Sequence, residues 1–171
     1  VTIALLIKVH DGLVLAADSA TTFAAAQPDG SATIVNIYNN ANKVFNLHKK
    51  LPIGAMTWGL GNIGPASIST LSKDLRAKFH GGDDDPWRLD PSAYDIEEVA
   101  SKAATFFHDD HYVPLYEEID EEHKQDLGYL VGGYSSRSDD PRVHHQHDRP
   151  ICWKARRGAC RQHGRSVVGT T

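Results

Sequence analysis

The stretch VTIALLIKVHDGLVLAADS, residues 1–19, sets two apolar runs on either side of His10-Asp11-Gly12 and closes the second run with a carboxylate. Residues 2–9 are almost all apolar and rich in β-branched types, as a strand covered on both faces would be. His10-Asp11-Gly12 is turn chemistry, and residues 13–18 repeat the strand character. The pattern predicts a β-hairpin. Asp18 then needs a reason, because a carboxylate buried without a partner is costly. Either it folds back on the following turn as an Asx residue, or it is held beside a cation.

The chain is long enough for one domain with a real core: 171 residues, 40% hydrophobic and 23% charged, with a formal net charge of -4. No apolar run approaches the roughly 20 residues of a membrane helix, and no basic-then-apolar signal segment opens the sequence. These features predict a soluble, cytoplasmic protein with no membrane partner. Cys152 and Cys160 are too few and too poorly spaced for a disulfide framework or a four-ligand zinc site. The charge is unevenly spread. Residues 142–171 hold 7 of the 18 Lys and Arg against one acidic residue, Asp148.

Downstream of the hairpin, residues 19–42, rich in Ala, Asn, Ser, Gly and Thr, read as a long loop with a short strand near 33–38. NKVFNL and LPIGAMTWG form a further strand pair hinged at His48-Lys49-Lys50. Pro65 suits the first position of a helix whose stripe is Ile68, Leu71, Leu75 and Phe79. Asp95 and Glu98 form a capping pair for a second helix carrying Ile96, Val99, Ala100, Ala103 and Phe107. Pro114 interrupts it, EEIDEEHKQD reads as a solvated helix, and LGYLVGGY returns to strand. Strands, then helices, then a strand predict helices packed on a sheet.

TIALLIKVHDGLVLAADS, NKVFNL, GAMTWGLG before a helix and LGYLVGGY after two helices together resemble the N-terminal two-thirds of a proteasome β-type subunit. The wider group is the N-terminal-nucleophile hydrolases, which includes the bacterial proteasome-like (HslV-type) peptidases. The resemblance covers about residues 1–134 and implies an α+β fold, a four-layer α-β-β-α sandwich, incomplete at the C-terminus here. It implies a threonine-type peptidase that hydrolyses peptide bonds in unfolded proteins or peptides, needs no cofactor or metal, and works in a homo-oligomeric ring that an ATPase regulator can serve.

The family's site maps onto this sequence as follows. Thr2 takes the place of the N-terminal nucleophile, and Asp18 stands sixteen residues later, as the family's aspartate does. Lys43, before Val44-Phe45, takes the place of the family's lysine, and Gly59 that of the glycine whose N–H faces the oxyanion. Thr22 would offer backbone hydrogen bonds to an extended peptide, and Thr57 would lie at the base of the pocket for the side chain before the cut. The chemistry needs these types together. A threonine hydroxyl requires a base, which its own free α-amino group with a pKa near ~8 can supply, and a nearby ammonium favours proton loss from its neighbours. On this reading Asp18 is the partner of Lys43. Without the resemblance, Asp18 is a turn residue, Thr2 a strand residue, Lys43 a solvated strand start and Gly59 a turn glycine. Val1 precedes Thr2, so the amine is free only when Val1 is removed; with Val1 retained, the same fold implies a catalytically inactive structural subunit.

Residues 135–171 read as an irregular basic tail without sustained apolar periodicity, as a shifted reading frame, a truncation or a disordered segment would produce. Loss of the later strands predicts exposed apolar surface and unpaired sheet edges. WKARRGACR gives the weaker alternative of a nucleic-acid-binding tail; the leading reading has no nucleic-acid partner. HDDH at 108–111, HHQH at 144–147 and GGDDDP lack the spacing of metal sites and read as exposed polar sequence.

Overall fold

A computed structural model of the chain describes residues 3–9, 11–26, 32–118 and 126–144. The opening stretch forms β1 (Ala4–Val9) and β2 (Gly12–Ala17), paired antiparallel from Ala4 opposite Ala17 to Val9 opposite Gly12. A second hairpin follows, β3 (Thr21–Ala26) with β4 (Ala32–Tyr38), its register shifted between Phe23 and Ala24. The strand expected near 33–38 is thus present, and Thr21–Ala26, read as loop, supplies its partner. Small and β-branched residues on a bulged ribbon lack the apolar alternation that marks a strand in sequence.

The central sheet is four-stranded and antiparallel. Its order is β10 (Arg142–His144), β9 (Leu127–Gly133), β6 (Ile53–Gly59) and β5 (Val44–Asn46). Residues alternate between its faces, as the two-residue strand period requires. Phe45, Ala55 and Val131 stand opposite one another on one face, where they join the apolar cluster with α1 (Ile68–Lys78) and α2 (Ile96–Ala104). Leu75, Ile96 and Val99 of those helices, with Phe79 at the end of α1 and Phe107 beyond α2, form the inward stripe, all fully buried. The Tyr129 hydroxyl, hydrogen-bonded to Ser72 at 3.1 Å, ties α1 to β9, and burial pushes it well above its ordinary pKa.

On the other face, Gly54 and Gly132 are direct partners across β6 and β9. A methyl on Gly54 would stand 3.0 Å from Leu15 Cδ1, and one on Gly132 2.7 Å from Leu13 Cδ2. The β1–β2 hairpin therefore rests its leucines on a floor of two glycines, with Met56 and Leu130 buried beside it. Helices, sheet and hairpin make three layers of a mixed α+β fold. A second helical layer, which a four-layer sandwich requires, is not among the described residues.

Both helices are capped by side chains. The Thr70 N–H donates to Ser67 Oγ, and the Glu98 N–H donates to Asp95 Oδ1 at 2.7 Å. The first helix begins at Ile68, three residues later than Pro65, because β7 (Asn62–Ile63) and β8 (Ala66–Ser67) fold into a small ribbon around Gly64, whose φ is +54°. Pro114 does not end helical structure. The chain runs from α2 into a π-helical segment, Thr105–Tyr112, and on into α3 (Val113–Tyr116), where Pro114 occupies the first turn. The HDDH residues lie in that segment, with His111 Nδ1 2.6 Å from the Phe106 carbonyl. Residues 119–125, most of the expected acidic helix, lie outside the described residues.

Two further differences bear on the ends of the fold. The sheet continues past residue 134: β10 pairs with β9 from Arg142 opposite Gly133 to His144 opposite Val131, and the Lys8 ammonium pairs with Asp140 at 3.0 Å. Val143 alone supplies the apolar signal there, too little for periodicity to show. Residues 145–171, which include both cysteines and the basic run, lie outside the described residues. Second, β1 is not covered on both faces. Leu13 and Leu15 face the sheet, but Ile3, Leu5, Ile7, Val9 and Val14 stand 43% to 70% exposed on the outer side of the hairpin. A row of exposed aliphatics favours self-association. Leu5→Thr with Ile7→Thr should leave the urea midpoint nearly unchanged and raise the concentration at which light scattering begins; earlier scattering would refute the assignment of this face as exposed.

Candidate functional site

The Asp18 carboxylate sits where β2 leaves the hairpin and collects donors from three directions. The Ile3 N–H donates to Oδ1 at 2.8 Å and the Ala20 N–H to Oδ2 at 3.2 Å. The Lys43 ammonium reaches both oxygens at 3.2 Å, and it also donates to the Ala20 carbonyl at 2.6 Å. Lys43 immediately precedes β5, and its own carbonyl accepts the Thr57 N–H at 2.9 Å, so the central sheet fixes its backbone. Its side chain is 10% exposed and that of Asp18 25%. Both readings of Asp18 made from the sequence are therefore realised at once: it is the Asx acceptor for Ala20 and the ion-pair partner of Lys43.

The Ile3 amide is the largest influence on the Asp18 carboxyl, holding it below its ordinary value; desolvation opposes this, and Lys43 adds to the lowering. Asp18 therefore stays ionised through the neutral range. Because its folded pKa is depressed, the stability it contributes is present above the ordinary carboxyl pKa of 3.8 and is lost as pH falls through the lowered value.

The Asp18 N–H also donates to the Ile3 carbonyl at 3.0 Å, so Ile3 is held at both its amide and its carbonyl. This double clamp acts on the residue that follows Thr2. Thr2 itself lies outside the described residues. The backbone of Thr22 is in β3, opposite Ile37. Thr57 is 5% exposed and its hydroxyl donates to the Gly128 carbonyl at 2.9 Å, within the sheet. Gly59 ends β6 at φ +83°, opposite Leu127. The sequence therefore identified the side chains that meet, Asp18 and Lys43, across 25 positions. It did not identify the Ile3 amide or the Ala20 carbonyl, because backbone groups carry no side-chain signature.

Among the described residues no group of three or more His, Cys, Asp and Glu is placed to hold a metal ion. No described helix is long and apolar enough to cross a membrane. No protein-family model matches the chain, and no curated protein matches it.

Proposed function

We propose that this chain is a threonine-type peptidase subunit of a proteasome-like ring, active when Thr2 is its first residue. The observation that supports the reading is the Asp18–Lys43 pair, joined through the Ile3 amide to the residue next to Thr2. The pair lies just beyond the β1–β2 ladder, which runs from Ala4 opposite Ala17 to Val9 opposite Gly12.

In this mechanism the Thr2 hydroxyl attacks the carbonyl carbon of the scissile peptide bond and passes its proton to the Thr2 α-amino group. The Lys43 ammonium keeps that amine's proton affinity low, and Asp18 holds the ammonium in place. The Gly59 N–H donates to the oxyanion. The protonated amine then gives its proton to the departing amine, leaving an acyl ester on Thr2 that water hydrolyses to the acid. A form that retains Val1 has an amide at the Thr2 nitrogen, cannot accept the hydroxyl proton, and would serve as an inactive structural subunit. The four-layer sandwich, the ring, the unfolded-peptide substrate, an ATPase regulator and a cytoplasmic location all belong to the same proposal.

Intact-mass analysis of the N-terminus separates the two forms. On protein beginning at Thr2, a peptide epoxyketone should add one equivalent that maps to Thr2, and Thr2→Ala should abolish peptide hydrolysis. Undiminished hydrolysis by the Thr2→Ala protein would remove the assignment.

A further inference from the structure

We infer that His48 and His80 form an acid-sensitive latch that fastens the β5–β6 turn to the C-terminal end of α1 while both imidazoles are neutral, and releases it when either gains a proton. The two rings stack with centroids 3.9 Å apart and planes 7° from parallel. They come from elements 32 positions apart, and the sequence marks neither as paired.

The hydrogen bonds fix the protonation states. His48 Nδ1 accepts the N–H groups of Lys50 and Leu51, both at 3.2 Å, so it carries no proton there. His80 Nε2 accepts the Lys49 N–H at 3.3 Å, which leaves Nδ1 to donate to the Arg76 carbonyl at 2.7 Å. Each ring thus spends its lone pair on the backbone of the same turn. A proton added at either lone pair turns an acceptor into a donor facing N–H groups, and it places a cation against the face of the other imidazole. Protonation and closure are mutually exclusive.

Among the described residues no carboxylate forms an ion pair with either ring. The turn contributes Lys49 and Lys50, and α1 contributes Arg76 beside His80. The Asp85 carboxylate lies against Gly81 but accepts the Trp87 N–H within its own loop. His48 is 5% exposed, and burial, followed by the charges of His80 and Lys50, lowers its pKa from 6.5. A base whose folded pKa is depressed contributes stability that is whole above its unfolded value and is lost as pH falls below it. The latch is therefore closed at pH 7.5 and opens on acidification. His80 is exposed, so protons reach the pair from solvent.

Amide hydrogen exchange on the full chain tests this. Corrected for intrinsic rates, protection at Lys49, Lys50 and Leu51 should fall at least about tenfold per pH unit below about pH 6.5, because the open turn binds at least one proton more. Protection in β9 should not follow. His48→Asn places a non-titrating oxygen where Nδ1 stands and, like His80→Gln, should flatten the pH dependence at all three amides by removing one of the two titrating rings; the double variant should abolish it. The wild-type imidazole resonances supply a readout independent of any variant: His48 should titrate only where the three amides lose protection. Equal protection at about pH 7.5 and 5.5, an unchanged pH dependence in both variants, or ordinary titration of His48 with the amides still protected would each overturn the inference.

Discussion

Gly59→Ala should destabilise the protein by about 3 kcal/mol, from two causes that act on the same atom. Gly59 has φ +83°, a conformation that costs a residue with a side chain about 1–3 kcal/mol. A methyl there would also stand 2.1 Å from the Asp126 carbonyl oxygen and 3.1 Å from its carbon. Those are backbone atoms, and the Asp126 carbonyl is held as the acceptor of the Leu60 N–H at 2.9 Å. Relief requires parting β6 from β9 where Gly59 faces Leu127, and overpacking of that kind costs about 1–3 kcal/mol. For a chain of this size the loss corresponds to a fall in Tm of roughly 6–12 °C. Gly61, two residues on, is the control: a methyl there meets nothing within 4 Å, so Gly61→Ala should change the urea-unfolding free energy by less than about 0.5 kcal/mol. Equal effects of the two substitutions would show that the strand end is not built this way. Lost activity in Gly59→Ala therefore says nothing by itself about an oxyanion, since the fold needs the glycine first.

Some of this architecture is legible in the sequence because it rests on periodicity. The stripe Ile68, Leu71, Leu75 and Phe79 is the buried face of α1, and Asp95 caps α2 through the Glu98 N–H, both as local pattern demands. The apolar run at the start of β1 is also a strand, yet composition could not say how many layers would cover it. Ile3, Leu5, Ile7 and Val9 read as buried, but whether the outer face is covered depends on what lies beyond the hairpin. Gly54 and Gly132 lie in segments that read as strands, but nothing in the sequence marks them as floor positions that admit Leu15 and Leu13, a role that only the register between β6 and β9 confers. The π-helical turn around Phe106 and Phe107 is equally unreadable, because the shift from α to π hydrogen bonding leaves the same aromatic residues in the core.

At the candidate site, legibility divides between side chains and backbone. Asp18 invited the question of a partner because an acid closing an apolar strand has only a few stable resolutions, and Lys43 was nominated by resemblance. Their meeting at 3.2 Å answers that question. The clamp on Ile3 was not readable, and neither was the stacked His48–His80 pair, since each joins groups that only the tertiary fold brings together.

Lys43→Met should reduce peptide hydrolysis by about 10²–10⁴-fold on protein beginning at Thr2, the range associated with losing a group that governs proton transfer. Methionine retains much of the buried stem while deleting the ammonium, so the loss tests charge rather than packing. A second consequence is independent of activity. With the ammonium gone, one of the causes that lower the Asp18 carboxyl disappears, while the Ile3 amide, the largest, remains. The Asp18 pKa should therefore rise toward its ordinary value yet stay below that of the unfolded chain. Since stability from a depressed carboxyl is lost as pH falls through its folded value, acid unfolding should begin at higher pH in Lys43→Met than in the wild type. Asp18→Asn removes the partner instead, and the two changes should not add: the double variant should hydrolyse peptide no more slowly than Lys43→Met alone, because Asp18 acts by holding that ammonium. Full activity in Lys43→Met would remove Lys43 from the mechanism. Strictly multiplicative losses would instead show that Asp18 serves only the Ile3 amide, leaving the ion pair a structural clasp between the hairpin and the sheet.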